Sequence, residues 1–131
     1  EAGRVVATVH AGWRGVIADV VTAAVNQMRA LGAGPIFAAV GPCIGPERFE
    51  VGPEVAAEFH RVFGSPGVVI AGGAKDRVDL KAALREQLSR AGVAGIDVLP
   101  HCTVSEPELF FSHRRDQGLT GRTGAFIATR E

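Results

Sequence analysis

A β-branched, apolar run, Arg4-Val5-Val6-Ala7-Thr8-Val9, passes through the turn His10-Ala11-Gly12-Trp13-Arg14-Gly15 into Val16 to Leu31, whose apolar residues recur at helical spacing. A strand feeding a helix through a glycine-containing turn is the repeating unit of layered α/β folds. This stretch therefore restricts the architecture more than any other. It also sets His10 at a strand's carboxyl end, where α/β proteins bind ligands.

The alternation continues along the chain. Gly32 follows the helix as a left-handed stop. Ile36-Phe37-Ala38-Ala39-Val40 is apolar throughout, as a buried central strand is, and it runs into Gly41-Pro42-Cys43-Ile44-Gly45-Pro46, so Cys43 also stands at a strand's end. After an extended Phe49-Glu50-Val51, Pro53 and Glu54 open a helix to about Phe63, with Ala56, His60 and Phe63 predicted on one face. Ser65 to Lys75 is a glycine-rich loop around a short strand, Val68-Val69-Ile70. Asp79 caps a helix from Leu80 to Ala91, with Leu80, Leu84 and Leu88 as its core stripe and Gly92 as its stop. Ile96 to Pro100, Leu109 to Ser112 and Gly124 to Thr129 read as further strands. The expected fold is α/β (α+β), a layered mixed β-sheet flanked by helices, in one domain over residues 1–131. Because a strand starts almost at Glu1, part of the sheet is expected to be missing.

Composition narrows the function classes. The 131 residues are 47% hydrophobic and 21% charged, which suits one globular domain with a real core. No apolar run approaches the ~20 residues that span a bilayer. A formal net charge of zero supplies no global field to recruit nucleic acid or an anionic membrane. Two distant cysteines, without a signal-peptide pattern, point to reduced thiols in the cytoplasm.

Metal-binding chemistry gathers on three positions: His10 and Cys43 at strand ends, and His60 on the helix that follows. One thiolate and two imidazoles suit Zn²⁺, and three protein ligands leave a fourth position open for water or substrate. The His-x32-Cys-x16-His spacing is not a local motif, however. Ordinary alternatives are a packed small hydrophobe for Cys43 and hydrogen-bonded or surface imidazoles for the histidines.

His10-Ala-Gly-Trp-Arg-Gly15, Gly41-Pro-Cys-Ile-Gly45, Phe111-Ser-His-Arg-Arg-Asp116 and Thr120-Gly-Arg122, in this order, resemble the YfiH-like family, often labelled polyphenol oxidase or laccase-domain proteins. The resemblance runs over the whole chain, which corresponds to the C-terminal half to two-thirds of a usual member. It implies zinc held by His10, Cys43 and His60, which would also carry the catalysis, and it implies action on purine nucleosides. The reactions are phosphorolysis of adenosine, inosine or methylthioadenosine, and hydrolytic deamination of adenosine, with a purine nucleoside and phosphate as the partners. The laccase label finds little support in the residues: four histidines, none in a His-x-His pair, and a single methionine cannot build a multicopper centre, so zinc is expected rather than copper. A cytidine-deaminase design is also absent, since no Glu stands two residues after His10 and no second Cys follows Cys43 in a Pro-Cys-x-x-Cys pattern.

Phosphorolysis needs fixed cations for the phosphate. Arg14 beside the backbone amides of Gly12 to Gly15 is one candidate, and Arg114, Arg115 and Arg122 form a second basic group. A solvated charged loop is the plainer reading of those arginines. Asp116 is an acid or base, or simply an arginine's partner. His113 is assigned to substrate stacking or hydrogen bonding, Trp13 to core or site, and Cys102 to buried packing, pointing away from His101. Two other functions stay open: a Cys-His hydrolase editing peptidoglycan precursors, with Cys43 as nucleophile, and a catalytically silent structural zinc protein.

Overall fold

The computed structural model describes residues 5–129. Its helices begin and end where local chemistry directs. The expected helix from Val16 to Leu31 is two helices, α1 (Trp13–Ile17) and α2 (Val20–Ala30). Asp19 between them takes the left-handed conformation, φ 56°, which Asp tolerates better than most side chains, and its Oδ1 accepts the Thr22 hydroxyl at 2.8 Å. The break lets Val16, Val21 and Val25 all turn inward. At the end of α2, Gly32 adopts φ 88°, the Gly32 N–H reaches Arg29 O and the Ala33 N–H reaches Met28 O, a paired closure of the last carbonyls.

β1 (Phe37–Val40) leads through the Cys43 turn to α3 (Pro53–Val62), with Pro53 in the first turn as expected. The buried face of α3 carries Ala56 and Phe59, not His60, which is exposed. Phe59 is 0% exposed and stacks on Phe63, 5.7 Å between centroids, so the larger apolar ring takes the inward position. β2 (Val69–Ile70) pairs antiparallel with β3 (Arg77–Val78), a short strand the sequence reading missed. The extended Phe49–Val51 segment lies along β3 through a Glu50–Arg77 bridge. α4 (Leu80–Arg90) starts on Asp79, whose carboxylate accepts the Lys81 and Ala82 N–H groups at 2.9 and 3.0 Å, and stops at Gly92, φ 70°. Its Leu80, Leu84 and Leu88 are buried as predicted. β4 (Gly95–Val98) then pairs in parallel with β1, Phe37 opposite Gly95 through Val40 opposite Val98.

The expected α/β class holds, but among the described residues the sheet is two separate two-stranded pieces rather than one mixed sheet. Val5–Val9 forms no strand, and Arg4 of that expected run lies outside the described residues. Leu109–Ser112 forms no strand, with a turn only at Leu109, and among the described residues Gly124–Thr129 is exposed and unpaired. All three have strand composition. A strand exists only with a ladder partner, however, and none of the three finds one here. β1 for the same reason is not central: among the described residues it pairs with β4 alone, and Phe37 is 75% exposed.

Candidate functional site

The expected ligand residues sit on three segments. His10 lies just ahead of α1, exposed, with its imidazole folded back over the turn: Nε2 is 3.3 Å from where a Gly12 Cβ would stand, so a side chain at that position would crowd it. Cys43 lies beyond β1, half-buried, and its thiol approaches Ile44 O at 3.5 Å. Burial pushes that thiol above its ordinary value, the Lys81 ammonium opposes the shift, and Asp79 and Cys102 add to it. His60 is on the outer face of α3. Among the described residues no group of three or more His, Cys, Asp or Glu side chains stands where it could hold a metal ion. The donor types suit Zn²⁺, but the structure does not draw His10, Cys43 and His60 together as a ligand set.

What the structure does bring together is the C-terminal motif and the Cys43 turn. Ile44, Phe49, Thr103, Ser112, His113 and Arg114 line a cavity of about 220 Å³. The Arg114 guanidinium lies 5.5 Å from the Phe49 ring centroid and donates to Glu50 O at 3.2 Å, which spreads it along the wall. His113 is held at the rim by a turn in which Gly118, φ 85°, returns its N–H to His113 O at 2.9 Å.

Arg115 has a different job from the expected one. Its Nε and Nη2 bind the two Asp116 oxygens at 2.8 and 3.0 Å, Nη1 donates to Thr103 O at 2.9 Å, and Nη2 also reaches Phe110 O at 3.0 Å. It is a clamp inside the protein, and it fixes the backbone that presents His113 and Arg114. Asp116 is its partner rather than a free acid. The Arg115 guanidinium, then the Thr120 hydroxyl at 2.8 Å, hold the Asp116 carboxyl below the ordinary carboxylate value. Arg122 is exposed, with Nη1 on Gly121 O at 3.1 Å, and Arg14 is exposed over its neighbour, 5.0 Å from the Trp13 ring centroid. Trp13 itself packs against the main core, the simpler of its two readings.

Beside this cavity, Cys102 is buried at 7% exposure, as expected, while His101 turns outward to pair through Nδ1 with Glu106 Oε1 at 2.8 Å. Glu106 Oε2 accepts the Cys102 N–H at 2.7 Å, and Lys81 Nζ donates to His101 O at 2.7 Å. Burial alone would raise the Cys102 thiol. The Ser105 hydroxyl and the N–H groups of Gly45, Ser105 and Val104 donate to it, and together they bring it below the ordinary thiol value. Sequence reasoning missed Lys81, Glu106 and Phe49, because each reaches this region from a distant segment.

A family model described as multi-copper polyphenol oxidoreductase laccase matches residues 1–130. The purine nucleoside phosphorylase YfiH of Escherichia coli K12 is 42% identical over 128 residues, covering 97% of this chain and 52% of that protein. An adenosine deaminase RL5 from an unknown prokaryotic organism is 40% identical over 126 residues, covering 91% of this chain and 48% of that protein. The chain thus spans about half the length of these relatives. A crystal structure of Neisseria meningitidis protein NMB0706, of family model DUF152, superposes with TM-score 0.71 at 37% identity, over 86% of this chain and 46% of that one. With its motifs, fold and matched length in agreement, the chain belongs to the YfiH-like family, whose family model carries the laccase description.

Proposed function

We propose that this chain carries part of the active site of a cytoplasmic, zinc-dependent enzyme that cleaves purine nucleosides with phosphate and deaminates adenosine. The observation that carries the reading is the cavity in which the family motif's His113 and Arg114 come together with Ile44 and Phe49. Purine nucleoside phosphorylase and adenosine deaminase are the names borne by relatives about 40% identical. Two free cysteines fit a reducing compartment.

Its size sets what the cavity holds. At about 220 Å³ it falls below the ~300–1,000 Å³ of sites that enclose a small molecule, so it takes one end of a nucleoside rather than all of it. Ile44 offers apolar contact to a purine base, while the Arg114 guanidinium covers the buried Phe49 ring. The donors of Arg114 not held by Glu50 O are free for a phosphate oxygen, where a planar guanidinium is the best-matched side chain. His113, at the rim, is in the position to exchange a hydrogen bond or a proton with the base. Arg14 and Arg122 are exposed cations available to the outer part of the substrate. The proposed zinc ligands are His10, Cys43 and His60; a zinc ion held by them would supply Lewis acidity and an acidified water. A zinc ion bound to Cys43 would quench its thiolate as a free nucleophile, which weighs against the hydrolase alternative in which that thiol attacks the substrate.

The experiment is metal analysis of the full-length protein together with inosine and adenosine turnover, with and without phosphate. Expected are stoichiometric zinc, purine release from inosine only when phosphate is present, and deamination of adenosine without it. Zinc-loaded protein that turns over neither nucleoside, and whose zinc content is unchanged in Cys43→Ala, overturns the reading.

A further inference from the structure

The two cysteines, 59 positions apart in the chain, meet in the fold. Cys43 follows β1 and Cys102 follows β4, and the parallel pairing of these strands resumes beyond their ends as a bridge between the two residues, with the Thr103 N–H on Cys43 O at 3.0 Å. Bridge partners on neighbouring strands stand about 4.8 Å apart and send their side chains to the same face. A disulfide joins Cα atoms ~4.4–6.8 Å apart, so the backbone already has the required spacing. The turn that carries Cys43 also folds onto Cys102: the Gly45 N–H donates to Cys102 Sγ at 3.2 Å, and a Cβ on Gly45 would lie 3.3 Å from Cys102 Cβ. Gly45 is thus the residue type that allows this approach. Access is unequal, since Cys43 is half-buried and Cys102 buried.

We propose that Cys43 and Cys102 form a reversible thiol–disulfide pair that responds to hydrogen peroxide. Cys43, the more accessible sulfur, attacks the peroxide O–O bond. It becomes a sulfenic acid, and the second oxygen leaves as water with the thiol proton. Cys102 sulfur then attacks Cys43 sulfur. The S–S bond forms as the Cys43 S–O bond breaks, and the hydroxyl leaves as water with the Cys102 proton. Two thiols lose two electrons and two protons, and one peroxide becomes two waters. A small-molecule thiol reverses the step by exchange. The disulfide withdraws Cys43 from the zinc ligand set; that consequence rests on the proposed function, whereas the bond itself does not.

The full chain, stripped of metal with a chelator, is exposed to equimolar hydrogen peroxide. Remaining thiols are alkylated with iodoacetamide, and intact mass and a non-reducing peptide map are read. Expected is a monomeric product two hydrogens lighter, without alkylation, whose map holds one cross-linked pair of peptides containing Cys43 and Cys102, and which regains both thiols in dithiothreitol. Cys43 carried to sulfinic acid beside an alkylatable Cys102, or cross-links only between chains, overturns the proposal. In Cys102→Ser, checked for native circular dichroism, peroxide should leave a Cys43 sulfenic acid that dimedone captures; an unreacted, fully alkylatable Cys43 counts against it. None of these readouts involves nucleoside turnover, so failure here and failure of the proposed function are distinguishable.

Discussion

Arg114 and Arg115 are adjacent, identical in type and opposite in role. Arg115 has all three guanidinium nitrogens engaged by protein acceptors, a fork that lysine cannot reproduce, so Arg115→Lys should lower Tm by on the order of 5 °C in a thermal melt. Arg114 holds one backbone carbonyl and faces the cavity. Arg114→Ala should keep Tm within about 2 °C of wild type and, on the proposed function, raise the KM for phosphate by roughly tenfold in the phosphorolysis assay. Asp116 makes the clamp pH-dependent. Its folded carboxyl titrates below the ordinary 3.8, so its contribution to stability is complete above that value and is lost as pH falls through the folded one. Urea midpoints measured at pH 6 and at pH 3 should therefore differ more for wild type than for Asp116→Asn. Neither arginine's role was legible in the motif itself, because what separates them is which distant carbonyls each one meets.

The helices were far more legible than the strands. Asp79, Pro53, Gly32 and Gly92 act on backbone groups within a few residues of themselves, so their signals survive without knowledge of the rest of the fold. Removing the Asp79 cap with Asp79→Ala should cost about 1 kcal/mol, seen as a lower urea midpoint with unchanged slope. The α1–α2 break escaped notice for the opposite reason. It depends on Asp19 in a left-handed conformation and on Gln87 of α4, buried, whose Nε2 donates to Val16 O at 2.6 Å as a second donor beside the Asp19 N–H. Gln87→Ala removes one of the two hydrogen bonds at that carbonyl, the Asp19 N–H at 3.1 Å remaining, and opens a void, a loss of roughly 1–3 kcal/mol by equilibrium unfolding.

At the scale of the whole molecule, a cavity of about 310 Å³ lies between Val5–Ala7, the loop from Ala33 to Phe37, and Ile127, beside β1. Phe37 and Phe126, the latter 95% exposed, leave apolar surface near it. Phe37→Glu should reduce binding of the dye ANS while changing stability by no more than about 0.5 kcal/mol, as an exposed substitution does. The sequence by itself determined what is local: the helix starts at Pro53 and Asp79 and the stops at Gly32 and Gly92, the inward leucine stripe of α4, the turn after β1 with Cys43 on it, and the family motifs. Tertiary structure alone decided what depends on residues far apart. It left strand-like runs 5–9 and 124–129 without partners, turned His60 outward while Phe59 took the core, tied Arg115 into a clamp, and set Cys43 beside Cys102. The physical reason is common to all four: a cap is satisfied by its own turn of helix, whereas a ladder partner, a core position, a half-buried cation's acceptors and a neighbouring thiol exist only once distant segments have packed.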